Sequence, residues 1–583
     1  MEGELEAARE IAPPQMRLPP PEKLPLGRAY YWEKTHGWQI FLTQPINGRA
    51  RNWKWREAMN ESRRVAAFLK AQGWPAGSHI VILSKNCAWW ILSELAIWMS
   101  GHVTVPIYTS VTNDAARRLF QHCGPVCCFL GPLDNPELVH EIPEDITVVR
   151  FPNATVKQIE SRVQTETPAH LTWDRIVAEN EPIAGEPARA AEDVATVIYT
   201  SGTTGPPKGA LHAFRAFPYF AKAVEQVIGN NKHHRVISYL PLAHIAERAL
   251  TETAGLYMGW RIFFYENTAT FLRDLKRARP TLFFSVPRLY AKFQAGVFEK
   301  IRARKLENLL HIPLVGFLVR RRILRRLGLN RVRFAASGSA PIAPDLVGWF
   351  RELGLPVTEG YGTTESGITH TAPGGRWRPG FVGVSTPGVE TRIAGNGEIQ
   401  VKSPMNMLGY YHDLEATAGV MTADGFIETG DLGEIDSEGW LKIKGRIKEQ
   451  FKTAKGKYVS PGAIEMMLEV HEAIEMCLVM GSGLAAPIAI AVLTAEARRL
   501  SERPESRQLL EHSLTDLVHT VNFQLAPHER LSILVLTQTR WSVENGFITP
   551  TLKLRRAELE AHYAKYIRQW IAQEQHLIWH SEE

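Results

Sequence analysis

Apolar positions along the chain change their period in a regular way. Over residues 57–72 (EAMNESRRVAAFLKAQ) they recur every three to four positions, which predicts an amphipathic helix. After the break at Gly73, Pro75 and Gly77, residues 78–83 form an apolar run that predicts a strand. Residues 88–108 are the most apolar window, yet Glu94, Gly101 and His102 interrupt it. That pattern predicts a buried helix running into a strand rather than a membrane span. Strand-like runs recur at 196–199, 235–239, 281–286 and 332–335, separated by helical stretches, an alternation expected of layered α/β architecture.

Beyond about residue 397 the rhythm shortens. Residues 398–401, 426–428, 432–435 and 440–444 predict short strands joined by turns such as Asp436-Ser437-Glu438-Gly439. After Arg446 a smaller α+β segment follows, with a hairpin expected from 477–480 and 488–493 around Gly481-Ser482-Gly483. The expectation is two units, a large layered α/β region over 1–446 and a small α+β domain over 447–583. A chain of 583 residues exceeds the size of one ordinary core, which agrees with that division.

Composition narrows the function classes. Apolar residues make up 45% and charged residues 22%, as in a soluble globular enzyme. The net charge of +6 favours anionic ligands such as nucleotides, or an anionic membrane surface. No stacked-aromatic pattern accompanies the charge, so nucleic acid is not implied. Five cysteines without framework spacing argue against a secreted disulfide scaffold; Cys123, Cys127 and Cys128 lack a partner pair for a metal and are expected to be small buried apolar residues. The proline-rich N-terminus has no basic segment followed by an apolar stretch, so a cytoplasmic location is expected.

The sharpest local signal is Tyr199-Thr200-Ser201-Gly202-Thr203-Thr204-Gly205-Pro206-Pro207-Lys208-Gly209, directly behind an apolar strand. Glycines bring backbone N–H groups close to an anion, hydroxyls add donors, and Lys208 supplies charge. The spacing is not that of the G-x-x-x-x-G-K-[ST] loop, since no Ser or Thr follows the lysine.

This loop resembles the signature of the adenylate-forming superfamily, which includes acyl-CoA synthetases, luciferase-like enzymes and adenylation domains of peptide synthetases. The likeness extends from about residue 53 to 556 through several ordered motifs. In Gly360-Tyr361-Gly362-Thr363-Thr364-Glu365 it implies Tyr361 against adenine, Thr364 on phosphate and Glu365 on Mg²⁺, which prefers hard oxygen ligands. Gly338, Ser339 and Ala340 match the adenine-facing loop. Asp431 in Thr429-Gly430-Asp431 matches the ribose acceptor, Arg446 a ribose or phosphate contact, and Lys448 the hinge.

Thr549-Pro550-Thr551-Leu552-Lys553 is similar to the T-P-T-x-K ending of long-chain fatty acyl-CoA synthetases. Lys553 then corresponds to the lysine that orients carboxylate and phosphate during adenylation. The run Leu240-Pro241-Leu242-Ala243-His244-Ile245-Ala246-Glu247-Arg248 resembles a stretch of the same subgroup, with His244 beside the acyl carboxylate. Two departures are Leu552 before the lysine and Lys455-Gly456 where many relatives carry Gly-Gly in a loop lining the CoA tunnel.

The resemblance therefore implies a ligase that uses ATP, Mg²⁺ and coenzyme A to activate a fatty acid, with a swinging C-terminal domain. Two other readings are a CoA-independent acyl-AMP ligase that loads a carrier protein, and a nucleotide-regulated lipid-binding protein without turnover. Separately, Val315-Gly316-Phe317-Leu318-Val319 followed by Arg320, Arg321, Arg322, Arg325 and Arg326 reads as a basic helix with an apolar flank, open equally to three uses: contact with an anionic membrane, a solvated face or a self-association surface.

Overall fold

The computed structural model describes residues 18–154, 171–200, 208–301, 303–543, 545–549 and 553–582. Its architecture is α/β, built of several layered sheets. The largest has seven strands in the order Leu171–Thr172, Thr147–Arg150, Cys127–Leu130, His79–Leu83, Val103–Ile107, Val194–Thr200 and Lys208–Ala213. All neighbours are parallel except the last pair. His79–Leu83 and Val103–Ile107 are buried at every position. That is why they read as unbroken apolar runs: helices cover both faces of a parallel sheet, leaving no solvent side to alternate toward.

The window 88–108 resolves into the helix Ala88–Met99, wholly buried, and the strand Val103–Ile107. The helix expected over 57–72 spans Trp55–Ala71. Its inner face enters a tryptophan-rich core in which Trp53, Trp55, Trp89, Trp90, Trp98, Trp173 and Trp260 are fully buried. The Glu61 carboxylate accepts hydrogen bonds from the indoles of Trp53 (2.9 Å) and Trp173 (3.1 Å), which satisfies two polar edges inside that core.

A second sheet has the order Leu282–Ser285, Phe334–Ser337, Val357–Thr363, Gly367–Thr371 and Val384–Ser385, the first three parallel. A third combines Arg235–Ser238, Arg261–Phe264, Ile40–Ile46 and Arg49–Lys54. The fourth is antiparallel: Glu390–Ile393, Glu398–Lys402, Ile427–Ile435 and Leu441–Arg446. Here one expectation is corrected. The runs 426–428 and 432–435 are a single strand, continuous through Gly430, whose φ of 71° and the adjacent register shift turn the chain without ending it.

Past Glu449 lies a four-stranded sheet of Ile474–Met480, Ile488–Leu493, Ile533–Thr537 and Leu577–His580. The first two strands form the expected hairpin. The helices Pro461–Leu468, Pro504–Gln524 and Arg556–Tyr563 cover this sheet. All five cysteines are buried and unbridged. Among the described residues no helix is long and apolar enough to cross a membrane.

Candidate active site

Two of the glycine-containing motifs meet because their strands are neighbours. Phe334–Ser337 and Val357–Thr363 run parallel with Ser337 opposite Glu359. Their carboxyl ends therefore carry Gly338, Ser339 and Ala340 on one side and Tyr361, Gly362, Thr364 and Glu365 on the other. Carboxyl ends of parallel strands are where open α/β sheets bind ligands. A methyl group on Gly338 would sit 3.4 Å from the Gly360 carbonyl oxygen, so the two segments lie close together. Ser339 takes a left-handed φ of 66°, a backbone state uncommon for a non-glycine residue.

The motif around Tyr361 is the end of a strand and a tight hairpin. A Cβ at Gly362 would lie 2.0 Å from the Gly367 carbonyl oxygen, so only glycine fits. The Thr363 hydroxyl accepts from the Ser366 amide at 3.1 Å and closes the turn.

Asp431 and Arg446 occupy opposed positions on adjacent antiparallel strands. Arg446 Nε donates to Asp431 Oδ1 at 2.8 Å, and the Tyr361 hydroxyl donates to Oδ2 at 2.7 Å. Burial, and next the Asp431 charge, hold the Tyr361 phenol well above its usual pKa. Loss of hydration acts against the Arg446 charge, but Asp431, Glu449 and Tyr361 outweigh it and raise the guanidinium pKa.

Glu365 is fixed from a different direction. The Tyr410 hydroxyl donates to its Oε1 at 2.8 Å, and Lys208 Nζ lies 5.1 Å from the centre of the Tyr410 ring. Tyr410 belongs to a segment laced to both neighbours: the Leu211 amide donates to the Gly409 carbonyl (2.9 Å), and the Met407 amide to that of Glu365 (2.7 Å). The Thr364 carbonyl accepts from His212 Nε2 at 2.9 Å; burial pushes the His212 pKa down to about 4, so this donor is a neutral imidazole. Lys208 opens the strand antiparallel to Val194–Thr200 and pairs with Thr200. Ser201, Gly202, Thr203, Thr204 and Gly205 lie outside the described residues.

Lys553, from the C-terminal region, feels the charges of these same motifs. Its amide donates to the Thr549 hydroxyl at 3.0 Å, and its carbonyl accepts from the Thr549 amide at 2.8 Å. The residue is exposed by surface area, yet enough protein lies around the ammonium to strip part of its hydration. Loss of hydration and then the Arg446 guanidinium lower its pKa, while Asp431, Glu449 and Glu365 pull the other way. The charges that act on Lys553 thus belong to the motifs of Arg446, Asp431 and Glu365.

His244 caps the short helix Ile245–Glu247, its Nδ1 accepting from the Ala246 amide at 3.2 Å. The ring hydrogen therefore sits on Nε2. Burial, and next the Lys553 ammonium, push the His244 pKa to about 3. It is a neutral donor at pH 7. Lys448 sits exposed in the turn Ile447–Glu449, immediately after Arg446.

Three contributions escape motif reading. Tyr410 and His212 hold Glu365 and Thr364 in place, and neither lies in a glycine-rich motif. The third is a buried charge network: Arg248 pairs with Glu94 and with Glu252 (3.4 Å) and donates to the Thr196 hydroxyl at 2.7 Å. It ties the helix after His244 to the strand that leads into residues 201–207. Only the Glu-Arg pair at 247–248 hinted at it, since Glu94 and Thr196 are far away in sequence.

Residues 32–411 match the family model described as AMP-binding enzyme, and residues 448–575 match that of the AMP-binding enzyme C-terminal domain. Long chain acyl-CoA synthetase 6, peroxisomal, of Arabidopsis thaliana is 28% identical over 90% of this chain and 82% of its own length. Long-chain-fatty-acid–CoA ligase FadD15 of Mycobacterium bovis is 29% identical over 88% of this chain and 91% of its own. Among solved structures, the A domain of a carboxylic acid reductase from Segniliparus rugosus, in complex with AMP, superposes with a TM-score of 0.77. It shares 21% identity and covers 99% of this chain and 96% of that one. The likeness at this identity concerns the fold.

Proposed function

The chain belongs to the AMP-binding enzyme family, and on that premise we propose that it is an AMP-forming fatty acid–CoA ligase acting on long-chain acids. The supporting observation is that groups from separate stretches of chain act on one another: Tyr361, Asp431 and Arg446 are joined by hydrogen bonds, Lys553 feels the charges of Arg446, Asp431 and Glu365, and His244 feels that of Lys553. Its relatives named as long-chain acyl-CoA ligases align over most of the chain.

In the first half-reaction a carboxylate oxygen of the acid attacks the α-phosphorus of ATP. A new O–P bond forms, the bond to the bridging oxygen breaks, and pyrophosphate leaves. Asp431, already an acceptor for two donors, binds the ribose hydroxyls, and Tyr361 packs beside the base with Gly338, Ser339 and Ala340. Arg446 and Lys208 supply positive charge toward ribose and phosphates. The hydroxyls of Thr200, Ser201, Thr203, Thr204 and Thr364 and the glycines Gly202, Gly205 and Gly362 complete the phosphate contacts. Neutral His244 donates from Nε2 to the acid, which orients the carboxylate without lowering its nucleophilicity as a cation would. Lys553 sits where charge accumulates between carboxylate and phosphate, and such stabilisation counts most in the transition state.

Mg²⁺ fits Glu365, a carboxylate whose position Tyr410 fixes, because this ion takes one or two protein carboxylates and completes its shell with substrate phosphates and water. When bound it neutralises charge on the phosphates.

In the second half-reaction the CoA sulfur attacks the acyl carbonyl carbon. The thiol S–H proton is lost to solvent, a C–S bond forms, the C–O bond to phosphate breaks, and AMP leaves. Lys553 must then withdraw, so we place a hinge at Lys448 between a region 1–446 and a mobile domain 447–583. Two observations support it: among the described residues no hydrophobic core spans residue 446, and the C-terminal family match starts at 448.

ATP–pyrophosphate exchange driven by oleate tests the first step. Lys553→Ala should lower exchange on the order of 10²–10³-fold. Unchanged exchange would remove Lys553 from the mechanism. Conversion of ATP to AMP across acids from acetate to oleate, with and without CoA, tests the substrate class. An adenylate that accumulates unchanged in CoA would favour a ligase that loads a carrier protein.

A further inference from the structure

The helix Pro313–Leu327 stands apart from the adenylation cleft and has an exposed face of unusual make-up. Ile312, Leu314, Val315, Phe317 and Leu318 are all exposed, Leu314 at 81% and Phe317 at 57%. One to three turns further on, Arg321, Arg322, Arg325 and Arg326 are exposed as well. Steps of three and four residues connect Leu314, Phe317, Leu318, Arg321, Arg322 and Arg325, so they share one side of the helix. No acidic side chain among the described residues pairs with the four arginines.

The opposite side is anchored: Val319, Ile323 and Leu327 pack against the hydrophobic core, and Gly316 is buried. A Cβ on Gly316 would lie 2.4 Å from the Leu310 carbonyl oxygen, so the helix packs tightly on its predecessor Ala303–His311. Arg320 donates to the same carbonyl at 3.1 Å. The exposed face is thus presented on a fixed mount.

We propose that Pro313–Leu327 docks the protein on an anionic lipid bilayer, its apolar first half entering the headgroup–acyl boundary and its arginine half binding lipid phosphates. The charge complementarity decides for lipid. From Leu314 to Arg326 the helix extends about 18 Å, at 1.5 Å per residue. Tilted, it places apolar side chains within the roughly 5–10 Å that interfacial helices penetrate while the guanidiniums remain at headgroup level. A nucleic acid would engage the arginines and leave five apolar side chains in water. A second copy would have to bring both an apolar groove and four acids. A bilayer supplies both chemistries along one axis.

The test uses the full chain and vesicles, with no turnover required, so it stands independently of the catalytic reading. Co-sedimentation is measured with phosphatidylcholine alone and with about 30% phosphatidylglycerol added, at low and high salt. Binding should require the anionic lipid and fall steeply with salt. Near such a surface each basic residue contributes about fivefold, so replacing all four arginines by Gln should weaken partitioning by several hundredfold. The pair Leu314→Ser and Phe317→Ser should weaken it by about tenfold or more with little salt dependence, because it removes apolar insertion. All six positions are exposed, so the variants should keep the parent thermal midpoint. Equal binding to both vesicle types, or unchanged binding by the arginine variant, would overturn the proposal. A dimer that the same variants dissociate, with no vesicle binding, would assign the face to a second copy instead.

Discussion

Glu247 is a carboxyl group with 1% of its surface exposed and no cation pairing with it among the described residues. It ends the short helix that His244 begins. Burial raises its pKa to about 8, although Ser238, Thr251 and the Tyr239 backbone favour the charged form. Below its ordinary value of 4.5 the group is protonated whether the chain is folded or not. Between there and about 8 the folded chain keeps a proton that the unfolded chain has released, so stability falls as pH rises, at about 1.4 kcal/mol per pH unit. Glu247→Gln preserves the neutral shape and does not titrate. Between about pH 5 and pH 8 the variant should therefore gain about 3.5 kcal/mol relative to the parent. With roughly 2.1 cal/mol/K of unfolding entropy per residue and about 430 residues in the larger unit, that is about 4 °C in thermal midpoint. Parallel melting scans of both proteins across this pH range measure the difference directly. Midpoint curves that stay parallel within about 1 °C would show that Glu247 is not held protonated, and the reasoning fails.

Arg248→Met leaves Glu94 and Glu252 buried without their shared cation. It should cost about 3–5 kcal/mol in urea unfolding, with partial recovery on adding Glu94→Gln. Asp431→Asn removes a charged acceptor for Arg446 and Tyr361; the KM for ATP should rise roughly 10–100-fold with the melting temperature little changed. Chelation by EDTA should abolish pyrophosphate exchange and added Mg²⁺ should restore it, whereas exchange that persists in EDTA would remove the metal from Glu365.

The elements are legible wherever burial imposes a period. The helix over 57–72, the buried helix–strand pair over 88–108 and the hairpin around Gly481 follow from local pattern. Ile427–Ile435 reads as two runs because Gly430 looks like a terminator locally. Only pairing with strands on both sides carries the chain through it.

Chemistry follows the same rule. Lys208, Tyr361, Glu365, Asp431 and Arg446 are legible as candidates because each stands beside or near glycines or at a strand end, and Lys553 because it follows Thr549-Pro550-Thr551 at the expected spacing. Their neighbours are not. Tyr410 reaches Glu365 only because the segment 407–411 is laced to Gly209 and Leu211, and Arg248 meets Glu94 across 154 residues of chain. The sequence by itself determined which side chains are the candidates to hold a nucleotide, because such groups act through their own chemistry. Tertiary structure alone decided which were charged, which were neutral and which side chains held them still. Proton affinity and rigidity depend on water excluded and partners supplied by distant segments, and no local pattern encodes either.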